Sequence, residues 1–288
     1  MAKAKRDIYQ EVTNSIIASI EAGVVPWQKN WAVSGGGIPL RSCGTPYRGI
    51  NVLLLGLQGR SCPHWFTYKQ ASALGGQVKG GEKGTLVTFF KPFKVEDRVT
   101  KEEKTIPLIR HYNVFNAEQI DGLPEKFYPK AVPVVDRNDR NAVADDYIAA
   151  TGAVITHGGN RAYYAPGPDS IQLPNFDAFD DGAGYYGTAL HELTHWTGHK
   201  SRCDRNFANS NGTKDYAKEE LVAELGAAYL CAALGVENSP RADHASYIAN
   251  WLGRLNDDKK FIFAAATKAQ AAVDHLDGYS AVEIEEAA

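Results

Sequence analysis

Thr188-Ala189-Leu190-His191-Glu192-Leu193-Thr194-His195-Trp196-Thr197-Gly198-His199 is the stretch on which the reading of this chain turns. It contains the pattern His191-Glu192-x-x-His195. On an α-helix, residues four apart share a face, so both imidazoles can point at a single ion. Glu192 stands beside the first of them, where its carboxylate can act as a general base. Gly198 supplies a helix stop. The bland alternative is two histidines on a polar helix face with an incidental glutamate between them.

Downstream, Tyr216-Ala217-Lys218-Glu219-Glu220-Leu221-Val222-Ala223-Glu224-Leu225-Gly226-Ala227-Ala228-Tyr229-Leu230 reads as a second helix. Leu221, Leu225, Ala228 and Tyr229, with Val222 beside them, form an apolar stripe of helical period. Glu220 and Glu224 are four apart and share a face. A hydrolytic zinc site uses three protein ligands and leaves one position open, and two His plus one Glu is a standard set. Glu220 is the expected third ligand, and Glu224, one turn on, is expected to orient His191 or His195. The competing reading makes Glu219, Glu220 and Glu224 a solvated charged face. Zn2+ is the expected ion, with Mn2+ or Co2+ as substitutes at such a site.

The formal net charge of −3 conceals an asymmetry. Residues 1–130 carry 18 Lys/Arg against 11 Asp/Glu, a net of +7, and the remaining 13 and 23 leave residues 131–288 at −10. A basic half joined to an acidic half points to a polyanionic partner for the first alone. Cys43, Cys62, Cys203 and Cys231 are scattered with no C-x-x-C pair. That disfavours a zinc ribbon or a disulfide scaffold and fits reduced thiols in the cytoplasm. No apolar run reaches the roughly 18 residues of a membrane span, and the polar start Met1-Ala2-Lys3-Ala4-Lys5-Arg6-Asp7 does not read as a signal peptide, so no membrane partner is expected.

The expected architecture is α+β in two domains, residues 1–130 and 131–288. Residues 6–22 read as an amphipathic helix on Ile8, Val12, Ile16, Ile17 and Ile20, stopped at Gly23. Val24-Val25-Pro26-Trp27-Gln28-Lys29-Asn30-Trp31 follows, its two tryptophans in too polar a neighbourhood for plain core. Pro46-Tyr47-Arg48-Gly49-Ile50-Asn51 leads into Val52–Leu55, the start of a buried helix. Trp65-Phe66-Thr67-Tyr68-Lys69-Gln70-Ala71 is expected to open another. Gly75 to Gly84 lacks the G-K-[ST] of a phosphate-binding loop. Thr85–Lys91 and Arg110–Phe115 read as paired strands around an exposed loop from Glu96 to Lys104. Residues 117–140 read as the linker. A helix at 142–151, strands at 162–164 and 170–173, and closing helices at 243–256 and 259–273 complete the second domain, with an acidic tail fraying from Glu283.

Single-stranded nucleic acids are bound by aromatic faces that stack on bases and by cations that track phosphates. Trp27, Trp31, Tyr47, Trp65 and Tyr68 are interleaved with Lys29, Arg48, Lys69, Lys79, Lys83 and Lys91. Each aromatic alone fits a core equally well, Trp65 above all. As a set within a domain of net charge +7, they predict single-strand binding.

Both halves resemble one family, the ArdC antirestriction proteins. In the C-terminal half the resemblance rests on His191-Glu192-Leu193-Thr194-His195-Trp196-Thr197-Gly198-His199 and Glu219-Glu220-Leu221-Val222-Ala223-Glu224. In the N-terminal half it rests on Gly23-Val24-Val25-Pro26-Trp27, Pro46-Tyr47-Arg48-Gly49-Ile50-Asn51, Trp65-Phe66-Thr67-Tyr68-Lys69-Gln70 and Gly80-Gly81-Glu82-Lys83-Gly84. The resemblance implies an N-terminal single-stranded-DNA-binding domain, also found in some plasmid primases, and a C-terminal zincin-like metallopeptidase domain of the gluzincin type. That type places the ligand at Glu220 and its support at Glu224. His199 follows His195 by four residues, not the six of the metzincin pattern, and is not an expected ligand. In zincins an edge strand before the metal helix lies along the cleft and can pair with an extended peptide.

The function so implied is non-sequence-specific coating of single-stranded DNA that protects conjugatively transferred DNA from restriction enzymes. The alternative is a DNA-dependent zinc metallopeptidase that cuts proteins bound to or attacking the DNA, restriction enzymes among them. A purely structural metal site is disfavoured, because such a site has no use for Glu192. Tyr216, His199 and Arg202 are all candidates to stabilise an oxyanion.

Overall fold

The computed structural model describes residues 6–28, 37–96, 103–128, 140–205, 214–237 and 245–286. The N-terminal domain comprises α1 (Ile8–Glu21), β1 (Leu40–Arg41), α2 (Ile50–Gly56), β2 (His64–Phe66), α3 (Tyr68–Ala73), β3 (Gln77–Val78), β4 (Thr85–Glu96), β5 (Glu103–Asn116) and β6 (Ile120–Asp121). Its main sheet has the order β1-β2-β5-β4, and β3 and β6 pair separately. The C-terminal domain comprises α4 (Ala142–Ala150), β7 (Val154–His157), β8 (Tyr163–Ala165), β9 (Ser170–Leu173), α5 (Gly182–Trp196), α6 (Lys214–Leu234), α7 (Ala245–Asp257) and α8 (Phe261–Glu286). Its sheet has the order β7-β9-β8. Among the described residues, no helix is long and apolar enough to cross a membrane.

The isoleucine periodicity of α1 is realised: Asp7 caps its first turn by accepting from the Gln10 amide, and Gly23 at φ +79° turns the chain away behind it. The buried face of α1 packs on the other domain. Thr13 donates to the Lys259 carbonyl at 2.8 Å, and the Tyr9 and Phe263 rings meet edge to face at 4.8 Å. Around α2, the Gly49 amide donates to Gln270 Oε1 at 2.8 Å, Tyr229 donates to the Gly49 carbonyl at 3.0 Å, and Arg48 pairs with Asp274. One continuous apolar cluster therefore runs from α1 and α2 through α6, α7 and α8.

Several sequence expectations change. Trp65 and Phe66 belong to a strand, not to a helix; the helix begins at Tyr68, behind a Thr67–Gln70 capping box. Side chains alternate along a strand, so Trp65 enters the shared cluster while Phe66 enters a second, smaller one. That smaller cluster, Cys62, Phe66, Ala71, Ala117, Ile120, Leu123 and Phe127, shows that residues 117–128 are not linker. Residues 129–139, and with them the expected boundary, lie outside the described residues. Strand β7 went unread because its residues are mostly exposed and do not alternate; it pairs in parallel with β9, from Val154 opposite Ser170 to His157 opposite Leu173. The last helix does not end near Val273. Buried Leu276 and the packing of Tyr279 on the cluster carry it on, and its backbone stays helical through Glu286, where the sequence leads one to expect fraying.

Trp27 is fully buried, edge to face with Trp251 at a centroid distance of 5.3 Å. Trp27→Ala is expected to destabilise the protein by about 3–5 kcal/mol, the usual cost of emptying a large aromatic site. A urea melt measures this. The variant that remains folded should bind DNA with wild-type affinity, since the indole is not on the surface.

Candidate functional site

Helix α5 starts at Asp181, whose side chain accepts from the Gly184 amide at 2.7 Å, and ends at Trp196 with Thr197 as its C-cap, two residues before Gly198. It lies directly against α6. A Cβ at Gly226 would come within 2.5 Å of Thr194 Cγ2, so the glycine lets the two helix axes approach closely. This contact sets His191 and His195 opposite Glu219, Glu220 and Glu224. All five side chains are buried, which rules out the solvated-face reading of the glutamates.

The five sort into an inner and an outer layer. His191 Nε2 and His195 Nε2 lie 3.2 Å apart and face Glu220, at 3.5 Å from Oε2 and 3.4 Å from Oε1 respectively. The ligand atoms of His191, His195 and Glu220 all fall within 4.8 Å of one another. The Nδ1 atoms point away from this focus: His191 Nδ1 lies 3.0 Å from Glu224 Oε1, and His195 Nδ1 lies 3.3 Å from Glu219 Oε1. Carboxylates on Nδ1 fix each ring with Nε2 turned inward, the arrangement metal-binding histidines use. The donor set therefore fits one divalent metal ion.

Glu219 was not singled out by sequence. Its role comes from Arg205, a buried guanidinium that pairs with it at 2.9 Å and also reaches Thr197 Oγ1 at 2.8 Å and the Thr194 carbonyl at 2.5 Å. Nothing in the loop sequence around Arg205 marks it. Burial opposes the charge on His195, but Glu219 and Glu220 outweigh burial and push its pKa up to about 10. Burial likewise opposes ionisation of Glu220 and Glu219. Hydrogen bonds from His191 and His195 hold Glu220 well below the usual carboxylate range, and His195 with Arg205 lowers Glu219. Arg205→Met should cost about 3–5 kcal/mol by stranding a buried carboxylate, and adding Glu219→Gln should recover much of it. A double-mutant cycle by chemical denaturation checks the coupling.

Glu192 is buried on α5 next to His191. Of the three oxyanion candidates, only Tyr216 adjoins the cluster. Its hydroxyl hydrogen-bonds Glu220, and Tyr247 donates to it at 3.4 Å. His199 is paired locally with Ser201 at 2.8 Å. Arg202 is bound to Asp169 and stacks 3.7 Å above Trp196.

The expected DNA-binding residues divide. Trp27, Tyr47 and Trp65 are buried, and as core residues they offer no ring face to a base; this corrects their assignment as stacking platforms. Trp27 is disguised by the polar residues that follow it, because Trp251, its edge-to-face partner, comes from the other domain. Lys29 and Trp31 lie outside the described residues. Tyr68 is exposed, as are Lys69, Lys79, Lys83 and Lys91. Arg48 is exposed but pairs with Asp274 of α8 across the domain contact. Lys79 reaches the Glu118 carbonyl at 2.9 Å.

Comparison with known proteins gives a two-domain architecture. Residues 6–115 match the family model for the N-terminal domain of anti-restriction factor ArdC, and residues 142–268 match that for a zincin-like metallopeptidase. A DNA primase TraC of Escherichia coli is 40% identical over 309 residues, covering 99% of this chain, but the chain spans only 28% of that protein's length. The metal-free crystal structure of the antirestriction ArdC protein from the R388 plasmid is 48% identical, with a TM-score of 0.82, covering 96% of this chain and 98% of that one. The Mn(II)-bound structure of the R388 protein gives 46% identity and a TM-score of 0.79, covering 96% and 99%. With both domains matched end to end at this identity, the chain belongs to the ArdC antirestriction family.

Proposed function

We infer that this protein binds single-stranded DNA without strong sequence preference and shields incoming DNA from restriction, while its second domain holds a zinc ion. The observation that carries the DNA reading is the net charge of +7 on residues 1–130, with Lys69, Lys79, Lys83 and Lys91 exposed. Such a surface binds phosphates with an affinity that falls steeply with salt. A protein that coats a strand blocks an endonuclease by occupancy alone. The R388 relative, an antirestriction protein matched over both domains, supports the same reading. Fluorescence anisotropy with labelled single-stranded and duplex DNA across a salt series tests it. Duplex preference or a flat salt dependence sinks it.

His191, His195 and Glu220 would hold the metal, and the Mn(II)-bound R388 structure supports a divalent ion. Zinc, once bound, supplies Lewis acidity toward a carbonyl and lowers the pKa of water. Glu192 is the group placed to accept a proton. Glu219 and Glu224 keep the imidazoles oriented, and Tyr216 is the donor at hand for a developing oxyanion. Strand β8, at the edge of its sheet and against α5, offers backbone groups to an extended peptide. The buried Glu192 is the observation that favours the second reading, a DNA-dependent metallopeptidase acting on DNA-associated proteins.

A further inference from the structure

With Trp27, Tyr47 and Trp65 in the core, Tyr68 is the one exposed ring of the expected set among the described residues. The β4–β5 hairpin supplies further exposed rings. Its register sets Val87 opposite Tyr112, Phe89 opposite Arg110, Lys91 opposite Leu108 and Phe93 opposite Ile106. Directly opposed residues of an antiparallel pair lie on one face, as do alternate residues along each strand. Tyr112, Phe89 and Phe93 therefore share one face with Lys91 and Arg110. Phe89 and Phe93 are 45% and 50% exposed and Tyr112 37%; both cations are exposed as well. The rings of Phe89 and Tyr112 meet at 5.8 Å.

The two faces of the hairpin differ. Asn51 closes the outer edge of β4, donating to the Thr88 carbonyl at 2.7 Å and accepting from its amide at 2.8 Å, and on the other face His111 lies 3.1 Å from Arg6. The Tyr112 face carries two cations and, from Val87 to Phe93 and from Ile106 to Tyr112, no acid. Exposed rings alternating with cations match a single strand, whose bases are unpaired and present π-faces while its phosphates run alongside. A duplex would hide those faces. Two copies of this chain meeting face to face would oppose Lys91 and Arg110 to their own equivalents, which disfavours self-association.

We propose that single-stranded DNA lies along this face of the hairpin, with bases stacked on Tyr112, Phe89 and Phe93 and phosphates on Arg110 and Lys91. The placement rests on the single-strand reading above. The test uses the full-length protein and a labelled oligothymidine, with melting temperatures recorded for every variant. Phe89→Ala and Phe93→Ala should each weaken binding about tenfold or more, while Phe93→Trp retains it. Arg110→Gln and Lys91→Gln should each reduce the salt slope by about 0.7. Phe90→Ala, on the opposite face and 48% exposed, should bind as wild type. If the wild type binds oligothymidine but the Phe89 and Phe93 variants bind equally well, or Phe90→Ala is as damaging, the placement is overturned and the function stands. A wild type that binds no single strand overturns both. A dimer that Phe93→Ala dissociates, with DNA affinity unchanged, assigns the face to self-association and overturns the placement.

Discussion

Glu192→Gln is expected to keep metal content, melting temperature and single-stranded DNA affinity at wild-type values while lowering peptide hydrolysis by about 10²–10⁴-fold, the usual contribution of a positioned general base. The substitution preserves side-chain shape in a buried position and leaves His191, His195 and Glu220 in place. The informative comparison is restriction protection. If protection comes from strand occupancy by the basic domain, Glu192→Gln retains most of it. Complete loss of protection, with metal content and melting temperature unchanged, would make proteolysis the mechanism and promote the second reading over the first. Peptide cleavage assayed with and without single-stranded DNA, beside a restriction-protection assay, separates the two.

The double substitution His191→Ala/His195→Ala has a different expected signature. Two of three ligands disappear, so metal stoichiometry should fall from about one to near zero. Stability should fall as well. Glu219 keeps Arg205, but Glu220 and Glu224 lose the imidazoles that neutralise them within a buried cluster. Breaking one buried charge pair typically costs about 3–5 kcal/mol, and four histidine–carboxylate contacts are lost here, so the second domain should melt well below the wild type. Because α1, α2 and Trp27 pack on α6, α7 and α8, loss of that domain should also weaken the first. Metal analysis of the purified variant that still showed full stoichiometry would remove His191 and His195 from the ligand set. Differential scanning calorimetry showing an unshifted transition would mean that the buried carboxylates find other partners.

The sequence alone determined what depends on local periodicity. An i, i+4 pair of histidines shares a helix face in any helix, and the same spacing puts Glu220 and Glu224 together on the next. The charge asymmetry between the halves is likewise independent of folding. Cap and stop residues placed α1, and strand patterning placed β4, β5, β8 and β9 but not β1, β2, β3, β6 or β7. Tertiary structure decided everything that hangs on which surfaces meet. Glu219 looks like any other helix glutamate until buried Arg205 arrives from a loop to pair with it. Tyr216 lies one turn before Glu220 on α6, and packing of α6 on α5 decided that this pair, and not His199 or Arg202, faces His191 and His195. Trp27 sits among polar neighbours and reads as exposed, yet Trp251, more than two hundred residues away, covers it. Nothing in the sequence marks Phe89 and Phe93 as exposed, yet the fold leaves them 45% and 50% exposed. The contacts of Arg205 with Glu219 and of Trp27 with Trp251 join separate elements, and spacing along the chain carries no information about them.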